Sequence, residues 1–208
     1  MGHIRTVDIA RWFLAAFFSS VALFYTATIL RKKRRMGRSP VIRGDKGSLH
    51  RVIHDTFAVF RGLILLVCIL RVPFPRIDDW LLPFRSLWHP AVIFSGCALM
   101  LTSFIAIVWL HTGMADLWRS GIDTERAGGE RLIVDGAFAH CRNPMFLCIQ
   151  AAQIGLFLAL PSVFTAVCLL VGTVAIQMQV RLEERHLADR FGDHWRSYAA
   201  RVPRWLIR

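Results

Sequence analysis

Two short stretches hold the side chains best placed for chemistry. His140, Arg142 and Asn143 lie in DGAFAHCRNPMFL (Asp135–Leu147), directly ahead of the longest apolar run in the chain. Glu183 and Glu184 lie directly behind that run, in VRLEERHL (Val180–Leu187). Charge at the edge of an apolar segment is costly unless it finds a partner or a ligand. Carboxylate, guanidinium and flat apolar side chains together form a recognisable set. A carboxylate accepts bonds from sugar hydroxyls, an Arg pairs with a carboxylate, and rings such as Phe138, Phe146, Phe191 and Trp195 hold a planar base. The set suits a nucleoside cofactor bearing an amino acid. The bland alternative is structural: Glu–Arg pairs often only brace helix ends, and Glu184 has Arg181 and Arg185 within reach.

The two stretches are about 40 residues apart, so an element must bring them together. The uncharged run Met145–Val180 would be about 54 Å long as one helix, against a hydrocarbon core of about 30 Å. It must fold back, and Pro161-Ser162 near its middle is the natural turn. A hairpin returns its two ends to one membrane face, where both stretches meet. Three further apolar runs precede it: Trp12–Leu30, Gly62–Leu70 (reaching Thr56–Val72 if Arg61 is accepted) and Ala91–Leu110. The expectation is an all-α integral membrane protein with about five transmembrane helices, a cytosolic pocket and a short C-terminal helix. Residues 1–111 form an N-terminal three-helix region with a basic loop at 31–56. Residues 112–208 form the core: a cytosolic segment 112–143, the hairpin 144–180 and a C-terminal segment 181–208.

Composition agrees. The chain has 208 residues, is 55% hydrophobic and carries a formal net charge of +12. The charge is segregated. With Arg31–Arg61 placed inside, 21 of the 26 Lys and Arg fall on the cytoplasmic side. The N-terminus is then outside and the C-terminus cytoplasmic, in an inner or plasma membrane. This skew accounts for the basicity with no nucleic acid as partner. RKKRR closes the first apolar run as it does in a retained anchor, and the basic loop suits anionic headgroups. Five cysteines, none spaced CxxC and most in apolar runs, argue against disulfides or zinc. His50 and His54 alone make a poor metal site, so no metal is expected. Gln150, Gln153 and Gln177 fit interhelical hydrogen bonds. Arg61 reads as a residue that snorkels to the cytoplasmic face.

An ordered set of motifs now becomes specific. LIVDGAF (Leu132–Phe138), RNPMF (Arg142–Phe146), EERHL (Glu183–Leu187), FGDHWRSY (Phe191–Tyr198) and VPR (Val202–Arg204) follow one another, after MADLWRSGID (Met114–Asp123). This order resembles the isoprenylcysteine carboxyl methyltransferase family, in the wider group that includes membrane phospholipid methyltransferases. The resemblance covers Met114 to Arg204. It implies S-adenosylmethionine as cofactor and methyl transfer to a hydrophobic or lipid-like acceptor from the bilayer: the carboxylate of a prenylated thiol compound, a lipid amine or a thiol. It implies cofactor contacts at Asp123, Leu132, Ile133, Phe138, Arg142, Asn143, Pro144, Phe146 and Glu183. His140 and Glu184 join them as neighbours, and Arg142 and Glu183 stand as the catalytic pair.

The chain also departs from the pattern. Asn143 stands where relatives have His, and Phe138, Phe146 and Trp195 stand where Tyr is common. The family's substrate-side Arg falls on Gln179, with Arg181 as a substitute on another face of the helix. Two rival readings follow. One is a non-catalytic membrane scaffold of the same fold. The other is a nicotinamide-dependent membrane reductase, for which the chain is short.

Overall fold

A computed structural model describes residues 2–37, 41–42, 44–114 and 132–206. Among the described residues the regular structure is helical, with an isolated β-bridge between Pro83 and Ser162 and no strand. Helix α1 (Gly2–Met36) runs through the first apolar segment and ends on Lys33, Arg34 and Arg35. Cations there complement the partial negative charge of a helix C-terminus. Helix α2 (Leu49–Leu70) starts at Ser48, whose hydroxyl accepts the Arg51 N–H at 3.2 Å. A single turn, α3 (Ile77–Trp80), interrupts the loop to α4 (Pro90–Met114). Proline opens both α4 and α5 (Pro144–Ala159), where the missing N–H has no helical partner to lose.

The expected hairpin is present. Helix α5 ends at Ala159, and α6 (Val163–Phe191) begins after Leu160, Pro161 and Ser162. Ser162 and Thr165 form a reciprocal capping box, so the turn satisfies the first donors of α6. The outer loop seals the turn. Phe84 N–H donates to the Pro161 carbonyl at 2.9 Å, and Val163 N–H to the Leu82 carbonyl at 3.0 Å. Gly192, with φ +53°, breaks α6 and starts α7 (Asp193–Arg201), the expected C-terminal helix.

Among the described residues four helices, α1, α2, α4 and α6, are long and apolar enough to cross a membrane. Helix α5 is apolar but has 16 residues, about 24 Å. It is therefore the one whose polar flanks are drawn closest to the bilayer core. Together with the large apolar side chains exposed along the helices, such as Leu23, Ile105 and Leu170, these lengths make the chain an integral membrane protein.

Connectivity alternates the helices between two ends. The basic end holds the termini of α1 and α2 that meet at 37–48, the start of α5 and the finish of α6. The opposite end holds the hairpin turn and the loop between α2 and α4. There a buried ion cluster ties α1 to that loop: Asp78 receives Arg71 and Arg11 on its two oxygens, the latter at 2.7 Å. Between the ends runs an apolar core of Leu14, Phe17, Met100, Leu156 and Leu160. Helices α4 and α5 approach through glycines. A Cβ on Gly96 would lie 2.4 Å from Ala159 N and 2.6 Å from the Gly155 carbonyl oxygen.

Candidate active site

At the basic end, Glu184 is the hub of a polar clamp. It is 8% exposed. Arg142 reaches it with Nε at 3.1 Å to Oε1 and Nη2 at 3.3 Å to Oε2. Asn143 Nδ2 donates to Oε1 at 2.9 Å. Arg204 donates to Oε2 through Nη2 at 2.7 Å and Nε at 3.0 Å. One buried carboxylate thus gathers the segment before α5, the helix α6 and the tail after α7. Two cations and an amide fill both its oxygens, which is what a buried charge requires. Its partners are Arg142 and Arg204, both distant in sequence, while its neighbours Arg181 and Arg185 are exposed.

The clamp extends through the backbone. Arg142 Nη1 donates to the Ala199 carbonyl at 2.8 Å and to the Val202 carbonyl at 3.3 Å. Arg142 N–H donates to the Pro203 carbonyl at 3.0 Å. The Arg142 guanidinium also lies 5.7 Å from the Trp195 ring centroid, a cation–π distance. Tyr198 Oη donates to the Phe138 carbonyl at 2.7 Å, and burial pushes its pKa up to about 12. It remains a donor across the physiological range. Trp195, Tyr198 and Val202 form a small second core, against which Leu132 and Val134 pack. The hydrogen bond to Glu184 holds Arg204 firmly protonated, and burial raises the Cys141 thiol.

Glu183 points elsewhere. It lines a cavity of about 270 Å³ enclosed by α1, α2, α4, α5 and α6. Gln179 Nε2, one turn back, donates to Glu183 Oε1 at 2.8 Å. Met145 and Phe146 from the first turn of α5 form the adjoining wall. His50, His54, Arg61 and Tyr25 enter from α2 and α1. The remaining wall is apolar, with Phe17, Met100, Phe104 and Leu156. Glu183, Gln179, His50, His54, Arg61 and Tyr25 are thus among the polar groups on the wall of a largely apolar chamber.

The residues singled out in the sequence therefore separate into three groups. Arg142, Asn143 and Glu184 join in the clamp, with Leu132 and the Phe138 carbonyl held beside it. Phe146, Gln179 and Glu183 meet in the cavity. His140 and Arg181 are exposed, Ile133 is half-buried, and Pro144 is buried as the first residue of α5. Asp123 lies outside the described residues. Arg204 and Tyr198 were visible only inside the VPR and FGDHWRSY motifs, with no role attached. The cavity face of α2 was missed. Its signal is the spacing of His50, His54, Phe57, Arg61 and Ile64, which puts a polar-to-apolar stripe along one side of the helix.

Comparison with known proteins adds one finding. Residues 91–194, half of the chain, match the family model described as phospholipid methyltransferase. No curated protein and no solved structure matches.

Proposed function

Because the chain belongs to the phospholipid methyltransferase family, we propose that this membrane methyltransferase uses S-adenosylmethionine to methylate a lipid-like acceptor at the cytoplasmic face. The observation that carries the reading is the opposed orientation of two adjacent carboxylates. Glu184 is spent on the clamp, while Glu183 faces the cavity with one oxygen held by Gln179.

The cavity suits such a cofactor. Glu183 would accept from hydroxyl or amino groups, and Phe146 and Met145 would cover a planar base. Ile133, Phe138 and His140 belong to the segment ahead of α5 that Tyr198 and the Arg142 backbone bond hold in place. When bound, S-adenosylmethionine supplies a methyl group on a sulfonium, already activated for displacement. The protein's part is to position the reactants and exclude water. Arg142, Asn143 and Glu184 serve this by fixing the segment that opens α5, one step removed from the reacting atoms. Asp123 remains a candidate contact by the resemblance alone.

The apolar chamber supports a hydrophobic acceptor. Among a prenylated thiol's carboxylate, a lipid amine and a thiol, the walls favour the last two. Gln179, which donates to Glu183, is neutral where a carboxylate acceptor would profit from a cation. Binding of S-adenosylhomocysteine to detergent-purified protein, followed by calorimetry, tests the proposal. Micromolar affinity in the wild type should weaken about tenfold or more in Glu183→Ala, the loss of a charge-assisted hydrogen bond. A folded wild type that binds no cofactor would move the non-catalytic scaffold reading to first place.

A further inference from the structure

Arg61 sits deep for a cation on a membrane helix. It sits twelve residues into α2, about 18 Å along the axis, on a helix otherwise uncharged from Thr56 to Leu70. It is exposed. Among the described residues it makes no ion pair and no hydrogen bond. A guanidinium at that depth without a partner is costly, and such residues normally mark a ligand path.

Its surroundings show where the path runs. Arg61 lines the central cavity and also a shallower notch between α2 and α6. The two share Phe57, Ile64, Gln153 and Leu156, so they are neighbouring compartments of one lateral gap. On the α6 side the notch is walled by Leu169 and Val171 and by the small residues Cys168, Gly172 and Ala175. Gln153 Oε1 is buried there without a partner. Side chains on a helix lean toward its N-terminus, which for α2 is the basic end, so Arg61 leans toward the His50 and His54 side of the cavity.

We propose that Arg61 anchors an acidic group of the acceptor, phosphate or carboxylate, and that the acceptor reaches Glu183 through the gap between α2 and α6. The word acceptor rests on the methyltransferase reading, whereas the anion site stands on its own geometry. The cavity then carries a cation and a carboxylate at separate places on its wall. That polarity selects an amphiphile whose acidic group is distinct from its nucleophile.

The test is native mass spectrometry of the full chain with three probes: dioleoyl phosphatidate, oleate and uncharged dioleoylglycerol. The wild type should retain one acidic lipid about tenfold more strongly than the uncharged one, as expected of a charge-assisted contact. Arg61→Gln should lose that lipid, Arg61→Lys should keep most of it, and the charge-matched control Arg34→Gln should keep it fully. Retention of phosphatidate alone assigns a phosphate, and of oleate alone a carboxylate. Ala175→Leu narrows the notch with Arg61 intact and should weaken retention as well. Equal retention by wild type and Arg61→Gln, or no preference for acidic lipid in the wild type, overturns the proposal. Unchanged retention in Ala175→Leu overturns the route. Calorimetry with S-adenosylhomocysteine on the same samples separates the two readings. Acidic lipid held without cofactor binding leaves Arg61 standing and removes the methyltransferase reading, and the reverse removes only Arg61.

Discussion

Glu183 and Glu184 are separated by about 100° around α6, and that rotation divides their work. Glu184 satisfies two arginines and an amide inside the protein, so its removal leaves Arg142 and Arg204 facing each other with no counter-charge. Breaking a buried pair in this way costs about 3–5 kcal/mol, and the partial exposure of Arg204 puts Glu184→Ala near the lower figure, about 3 kcal/mol. Glu183→Gln keeps the size of the side chain on a cavity wall and should change stability by less than about 1 kcal/mol. Thermal unfolding in detergent checks the contrast: a large fall in the midpoint for Glu184→Ala beside a small one for Glu183→Gln. Equal falls would remove the division of roles. The doublet was legible in the sequence as charge at the edge of an apolar run. Which carboxylate took which side was not, because the answer lies in where the tail returns. Arg204 reaches Glu184 across 20 residues and two helix ends, a contact that no periodicity in the sequence encodes.

Helices here are positioned by what they lack as much as by what they carry. Gly96 and Gly155 let α4 and α5 touch backbone to backbone, which is how helices associate where lipid offers no hydrophobic contrast. Gly96→Ala would drive a methyl into Ala159 N and the Gly155 carbonyl and should cost about 1–3 kcal/mol. Gly62 and Gly113 are helical too, but a Cβ at either meets nothing within 4 Å, so alanine there should be neutral or stabilise by up to about 1 kcal/mol. Unfolding midpoints of the three variants decide the matter, and a neutral Gly96→Ala would mean that α4 and α5 sit further apart. Element by element, the apolar runs, the turn at Pro161-Ser162 and a short helix within 181–208 were readable from length and polarity, whereas the run of α6 on to Phe191 and the break at Gly192 were not. The cavity was not. Its walls come from five helices, and its polar stripe on α2 gains meaning only when α5 and α6 stand opposite.

For the whole molecule, charge sets the two ends apart. The basic end carries RKKRR and the loop to α2, whereas the opposite end carries exposed Phe74, Trp80 and Leu82 around the sealed Asp78 cluster. Trp80 at this level suits a headgroup interface, and cations suit the cytoplasmic side. The proposed orientation therefore places the clamp and Glu183 in reach of a cytoplasmic cofactor, and the hairpin turn on the far side. Single cysteines test it, in a background where the five native cysteines are replaced. Lys46 lies in the basic-end loop and Trp80 is 80% exposed at the opposite end. A membrane-impermeant maleimide added to intact cells should label Trp80→Cys and spare Lys46→Cys until the cells are opened. The inverse pattern would put the clamp outside, away from any cytoplasmic supply of cofactor. It would remove the topological half of the proposed function and leave the geometry of the site unchanged.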